Sequence, residues 1–159
     1  MKKAITVLAC AVSIVLGGCA GTAAVVRSEY RLSEGEKVAF TVSAPADLGE
    51  EARGILNARL TEKLTANSLL ATTADASARE LEIQVTNYRM RHGAARALLG
   101  IMAGTDNIQS TIKVKNKASG AVLSEFQIES KNPTAWGTSK SMIEEHADKI
   151  VDTLVGAKK

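Results

Sequence analysis

Three segments in the second half of the chain alternate apolar and polar side chains, and this alternation most constrains the fold. Their apolar positions are Leu81, Ile83 and Val85, then Ile108, Ile112 and Val114, then Val122, Phe126 and Ile128. A period of two indicates strands with one buried and one solvated face, which is typical of antiparallel sheets. A polar loop of hairpin length containing Gly120 separates the last two strands.

Two segments with helical periodicity lie before and after these strands. We expect them to form helices that cover the buried face of the sheet. One stripe is Ala52, Ile55, Leu56, Leu60 and Leu64, and the other is Ile143, Ala147, Ile150, Val151 and Leu154. Capping-box spacing at Asp47–Glu50 and at Ser141–Glu144 predicts where the helices begin, and Gly156 is placed to end the second. An earlier strand is predicted over 37–43, and the stretch 25–32 is either a weak first strand or more of the tether that precedes the domain. The predicted fold is therefore an α+β two-layer sandwich, with a mostly antiparallel sheet, two main helices on one face and a short Gly/Ala-rich crossover segment.

The N-terminus carries the features of an export signal. Lys2 and Lys3 precede an apolar, uncharged stretch over 4–16, which is shorter than the ~20 residues needed to span a bilayer. Such a stretch is typical of a secretory signal peptide. It ends at Leu16, Gly17, Gly18 and Cys19, a sequence that resembles the lipobox of bacterial lipoproteins.

The lipobox resemblance implies diacylglycerol on the Cys19 thiol, cleavage before Cys19, and acylation of the new amine, with palmitate as the expected acyl chain. The predicted organisation is a removed signal peptide over 1–18, a lipidated cysteine and tether over 19–36, and one domain over 37–159. Ala20 stands where an aspartate commonly retains a lipoprotein in the inner membrane. We therefore expect the outer membrane, with the protein facing the periplasm and the lipid as its membrane partner.

Composition excludes several classes of function. The formal net charge is +3, but two of the lysines lie in the segment expected to be removed, so the mature chain is nearly neutral. A nucleic-acid partner is not expected, because phosphate binding needs a concentrated basic field. Cys10 would leave with the signal peptide and Cys19 would be lipidated, which leaves no disulfide. The two cysteines and two histidines do not form a usual zinc site, and no metal or cofactor is predicted.

The segment 93–104 consists mostly of small and apolar residues, with glycine at positions 93, 100 and 104. Gly100 and Gly104 have the GxxxG spacing that lets helix backbones approach closely. The segment is either a contact to a protein partner, a second copy or lipid, or a crossover helix on its own sheet. The candidate contact residues are Gly93, Arg96, Leu98, Leu99, Gly100, Ile101 and Gly104.

A basic cluster precedes and enters this segment. It comprises Arg89, Arg91, His92 and Arg96. The cluster is either a site for an anionic envelope polymer or lipid headgroup, with Arg89 and Arg91 as ligand residues, or a solvated strand end.

The stretch LEIQVTNYRMRHGAARALLGIMAGTDNIQSTIKVKNKASGAVL, residues 81–123, resembles bacterial lipoproteins of the domain-of-unknown-function family DUF4410. The shared order is a strand, an Arg-, Leu- and Gly-containing small-residue segment, and a strand ending in a turn, here Ser119–Leu123. The resemblance extends loosely over 38–154. Asn116 and Lys117 stand where the family often has an acidic residue before the turn, which weakens a metal or acid role there. The resemblance implies no activity.

Catalytic motifs are absent from the sequence: there is no nucleophile elbow, phosphate loop, HExxH or Rossmann glycine pattern. His146 is expected on the surface, because position 150, one helical turn on, is Ile150 and no zinc ligand. Trp136 is either a binding anchor or a cover for the sheet edge. The predicted function is a non-enzymatic, lipid-anchored periplasmic module, an accessory component of an envelope assembly, transport or secretion system with a protein partner or homo-oligomer. The alternative is a binder of an anionic polymer or lipid through Arg89, Arg91 and Arg96.

Overall fold

The computed structural model describes residues 21–26, 30–72, 75–91, 104–134 and 137–156. A 3₁₀ turn over Ala46–Leu48 precedes the first helix. The helices and strands are β1 (Gly21–Val26), β2 (Val38–Ser43), α1 (Gly49–Ala66), β3 (Arg79–Arg89), β4 (Asp106–Asn116), β5 (Val122–Asn132) and α2 (Ser139–Val155). No helix within these ranges is long and apolar enough to cross a membrane.

The strands form one sheet in the order β1-β5-β4-β3-β2. Strand β2 runs parallel to β3, and α1 connects the two strands. All other neighbours are antiparallel. Both helices pack on one face of this sheet, so the predicted α+β architecture is confirmed.

The core lies between the helices and this face of the sheet. Leu56, Leu60 and Leu64 of α1 are fully buried, as are Ala147 and Ile150 of α2. The helical stripes predicted from periodicity are therefore the packed faces, with Ile55 half-buried at the margin. The strands contribute Leu81, Ile83, Val85, Ile108, Ile112, Val114, Phe126 and Ile128 to the same cluster.

The helix starts differ from the two predicted capping boxes. The N-cap position of α1 is Leu48, which makes no side-chain cap, because the 3₁₀ turn leads directly into the helix. The capping box of α2 is formed by Thr138 and Ser141, one turn before the predicted pair. Thr138 Oγ1 accepts from the Ser141 N–H at 3.1 Å. The predicted end is confirmed, since Gly156 is left-handed with φ +65°.

The predicted tether over 19–36 is wrong over Gly21–Val26, where a strand forms earlier than the alternative strand over 25–32. Gly21–Val26 forms β1, which pairs with β5 from Lys131 to Phe126. After β1, the Leu32 N–H donates to the Leu154 carbonyl at 3.1 Å, and Tyr30 packs against the core. The folded domain therefore begins before residue 37, because the edge of β5 provides the partner that the small residues of β1 need.

Candidate functional site

Most of the predicted site residues lie outside the described residues. These are Leu16, Gly17, Gly18, Cys19, His92, Gly93, Arg96, Leu98, Leu99, Gly100, Ile101 and Trp136. Gly104 is the one predicted partner-contact residue within the described ranges. Its φ is +93°, and a Cβ there would lie 3.2 Å from Arg89 Nη2. Gly104 therefore lets β4 begin close beside the Arg89 guanidinium.

Arg91 forms a buried ion pair with Asp106, and both side chains are almost fully inaccessible, at 3% and 0% exposure. Arg91 Nε donates to Asp106 Oδ1 and Nη2 donates to Oδ2, each at 3.1 Å. The main-chain N–H of Arg91 donates to Oδ1 at 2.7 Å. Nη2 also donates to the carbonyls of Asn132 at 3.0 Å and Thr134 at 2.6 Å. The pair therefore joins the ends of β3 and β5 to the start of β4.

This geometry contradicts the assignment of Arg91 to an anionic ligand. Its guanidinium is buried and already bonded to a carboxylate and two carbonyls, which leaves no accessible face for a phosphate or polymer. Arg89 is exposed at the end of β3. Of the two described members of the predicted basic cluster, Arg91 is therefore structural and Arg89 is exposed.

A cleft of about 720 Å³ opens beside Arg89, between the starts of both helices and the end of β3. Its wall carries Asp47, Glu50 and Glu51 as well as Arg89, Arg91 and Lys140. Tyr88 lies half-buried in the same wall. Burial, together with the carboxylates of Glu51, Asp106 and Asp47, raises the pKa of the Tyr88 hydroxyl. Because Arg91 is already paired with Asp106, three carboxylates share the cleft with two other cations, and this balance does not favour an anionic ligand next to Arg89.

His146 is buried in the core, not on the surface as predicted. The Ser110 hydroxyl contacts its Nε2 at 2.8 Å, and the Ser130 hydroxyl contacts its Nδ1 at 2.9 Å. Ser130 Oγ in turn lies 2.8 Å from Thr22 Oγ1. The chain of hydrogen bonds runs from β4 through α2 and β5 to β1. Burial lowers the pKa of His146 to about 4, so the ring is neutral at pH 7.

A serine and a histidine in hydrogen-bond contact suggest nucleophilic catalysis, and the geometry here argues against it. Ser110 and His146 are both 0% exposed, so no substrate reaches the hydroxyl. The second ring nitrogen meets the Ser130 hydroxyl and not the carboxylate that orients a catalytic histidine. The arrangement satisfies both ring nitrogens inside the core, which a buried imidazole requires.

Two signals in the sequence could have located this polar network. His146 lies three residues after Ile143 and four before Ile150, so it shares the buried stripe of α2. Ser110 lies midway between Ile108 and Ile112, on the buried face of β4. Within the described ranges, no group of three or more His, Cys, Asp or Glu side chains is placed to hold a metal ion.

Comparisons with known proteins relate the chain to solved structures of the same fold. The PelC dodecamer from Paraburkholderia phytofirmans matches with a TM-score of 0.63 and 16% identity, over 87% of this chain and 100% of that chain. A leucine-to-methionine variant of that dodecamer, from the same organism, matches with a TM-score of 0.59 and 18% identity, over 87% and 100%. At these identities the likeness shows the fold alone. No curated protein sequence matches the chain.

The family model of the domain of unknown function DUF4410 matches residues 41–138, from within β2 to the start of α2. This range includes β3, β4, β5 and the Arg91–Asp106 pair, and it covers more than half of the chain. The chain therefore belongs to the DUF4410 family.

Proposed function

We propose that the chain is a lipid-anchored, self-assembling interaction module of the bacterial cell envelope, an accessory component of an assembly, transport or secretion system and not an enzyme. One observation supports the proposal that the chain self-assembles. The fold matches that of PelC over the whole of the PelC chain, and both matched PelC structures are dodecamers. A fold shared along its full length offers the same elements for contacts between copies.

The proposed anchor rests on the N-terminal sequence. The positive residues, the apolar stretch and the lipobox at Leu16–Cys19 follow one another in the order that lipoprotein export requires. The lipid on Cys19 would hold the domain at the membrane, and several acyl chains anchor far more firmly than one. Ala20 supports delivery to the outer membrane.

The absence of catalysis in this proposal rests on what the buried polar groups do. Within the described part of the chain, the Ser110–His146 contact is sealed in the core. The Arg91 guanidinium is likewise already bonded to the Asp106 carboxylate and to the Asn132 carbonyl. Because these potentially reactive side chains make structural contacts in the core, they support a binding role and not a catalytic one.

The anchor is tested by expressing the full chain in a Gram-negative host and measuring its mass and membrane partition. We expect a mature chain that begins at Cys19, carries added acyl mass and sediments with the outer membrane. Cys19→Ser should abolish both the added mass and the sedimentation. Cys10→Ser is the matched control and should change neither, because Cys10 lies in the removed segment. Ala20→Asp should move the protein to the inner membrane.

The assembly is tested on the wild-type lipoprotein extracted in a mild detergent. Native mass spectrometry should give a discrete multiple of the mature mass. A monomer at all concentrations would contradict the self-assembly, and an unprocessed chain in the soluble fraction would contradict the anchor. The two parts of the proposal are therefore refuted separately.

A further inference from the structure

The outer edge of β2 carries main-chain groups that face away from β3. The Val38 N–H donates to the Leu69 carbonyl at 2.8 Å, and the Val38 carbonyl accepts from the Ala71 N–H at 2.9 Å. Because main-chain direction alternates along a strand, the N–H and C=O groups of Phe40 and Val42 also face outward. No other described main-chain segment pairs with this edge beyond Val38. The strand therefore has an open stretch from Phe40 onward.

Among the described residues, β1 is the opposite edge of the sheet and pairs with β5 alone. Its sequence is GTAAVV, with no charge and no proline, and Val25 and Val26 are 61% and 39% exposed. Edge strands of single-chain proteins are usually blunted by lysine, proline, a bulge or a covering segment. The sequence of β2, VAFTVS, also lacks charge and proline. Both ends of the sheet thus retain the features of strands that pair further.

The directions and faces of the two edges are compatible. Following the pairings through the sheet, β1 runs opposite to β2. A second copy can be placed beside the first with its helices on the same side of the sheet. β2 of one copy then lies beside β1 of the other, and the two strands run antiparallel. Val26 lies on the helix side opposite Phe126, and Phe40 and Val42 lie on that side beside Leu81 and Ile83. The contact would therefore continue the apolar layer from one copy to the next.

We infer that β1 of one copy pairs with β2 of the next copy, so that the sheet continues across the assembly. This inference rests on the self-assembly proposed above and names the surface that performs it. The contact joins two different edges, so each copy keeps one edge free for a further copy. Such a heterologous contact builds a closed ring or a filament, whereas pairing of identical edges stops at a dimer.

Cysteine crosslinking in the full-length, membrane-anchored protein tests the pairing. Thr41→Cys is combined in turn with Gly21→Cys, Ala23→Cys and Val25→Cys, which share the face of the sheet turned away from the helices. Opposite residues of an antiparallel pair have Cβ atoms about 4.5–5.5 Å apart, close enough for a disulfide after small shifts. We expect one combination to give a ladder of dimers and higher oligomers under mild oxidation. The single variants, and Thr41→Cys with Val122→Cys as the matched control, should give no ladder.

The outcomes separate this inference from the proposed function. A dimer from a single β1 variant would overturn it, because that product requires two identical edges. An oligomer by native mass with no crosslink in any double variant would overturn the edge pairing and leave self-assembly standing. A wild-type monomer would overturn both.

A blocking variant gives an independent readout. Val25→Lys places a charge on β1, which this exposed position tolerates in the monomer but which opposes pairing of an edge strand with another chain. We expect the concentration for half-assembly to rise at least about tenfold, which corresponds to about 1.4 kcal/mol. Val122→Lys, on a 52% exposed valine outside both edges, should leave assembly unchanged. Unchanged assembly of Val25→Lys would refute the inference.

Discussion

Asp106→Asn is the most informative single substitution for the stability of this fold. Asp106 is fully buried and accepts three hydrogen bonds from Arg91, two from the guanidinium and one from the main chain. Asparagine preserves the volume and one acceptor oxygen but removes the negative charge. The Arg91 guanidinium then remains buried without its counter-charge.

The expected cost follows from that uncompensated charge. Removing one partner of a buried ion pair costs about 3–5 kcal/mol. Because the carbonyls of Asn132 and Thr134 still accept from Arg91, we expect Asp106→Asn near the lower end, at about 3 kcal/mol. Asp106→Ala also deprives the Arg91 N–H of its acceptor and should approach about 5 kcal/mol.

Urea unfolding followed by circular dichroism measures this loss, at one fixed protein concentration because assembly also stabilises the fold. With an m-value of about 2 kcal/mol/M, the midpoint for Asp106→Asn should fall by about 1.5 M. The double variant Arg91→Met with Asp106→Leu is the control. It removes both charges together and should recover most of the stability. A loss below about 1 kcal/mol for Asp106→Asn, or a double variant as unstable as Asp106→Ala, would refute the buried-pair reasoning.

Three further predictions concern the helices. The folded pKa of His146 lies below its ordinary value, so its neutral form stabilises the fold above about pH 6.5. This contribution is lost as pH falls toward 4, with a slope of up to about 1.4 kcal/mol per pH unit. Unfolding midpoints between pH 4.5 and 6.5 measure this slope, and His146→Leu should flatten it; an unchanged slope would assign it to another group. Gly156→Ala should cost about 1 kcal/mol because φ is +65° and the new Cβ would lie 3.2 Å from Arg31, and Gly156→Asn should cost less. A thermal melt in which the two variants lose equal stability would contradict this account. Arg59→Ala should lower the thermal midpoint by removing the two bonds to Asp148 at 2.7 and 2.8 Å between the helices, and this loss should shrink in high salt.

Periodicity predicted the strands and helices well because their burial depends on side chains a fixed spacing apart. Leu81, Ile83 and Val85 occupy one face of β3 as the alternation required. The Leu56, Leu60 and Leu64 stripe faces the sheet for the same reason. Turn chemistry was less decisive, since α1 begins without a side-chain cap and the capping box of α2 lies at Thr138, one turn before the predicted one.

Two structural facts could not be obtained from local patterns. β1 has small residues with no clear alternation, and its strand conformation depends on pairing with β5, about a hundred residues later. Arg91 looks like a surface cation in the sequence. Its burial depends on Asp106 at the start of β4 and on carbonyls after β5, which only the assembled sheet brings together.

The pairing of β1 with β5 also sets an order of events during folding. Thr22 and Ser130, whose hydroxyls lie 2.8 Å apart, are separated by 108 positions along the chain. β1 is the first strand along the chain, yet its partner β5 follows every other strand. Closing so long a loop is entropically costly, so β1 is expected to dock late, onto a sheet that has already formed. Until then, the first strand to emerge is the last to find a neighbour, and a chain truncated before β5 would leave it permanently without one.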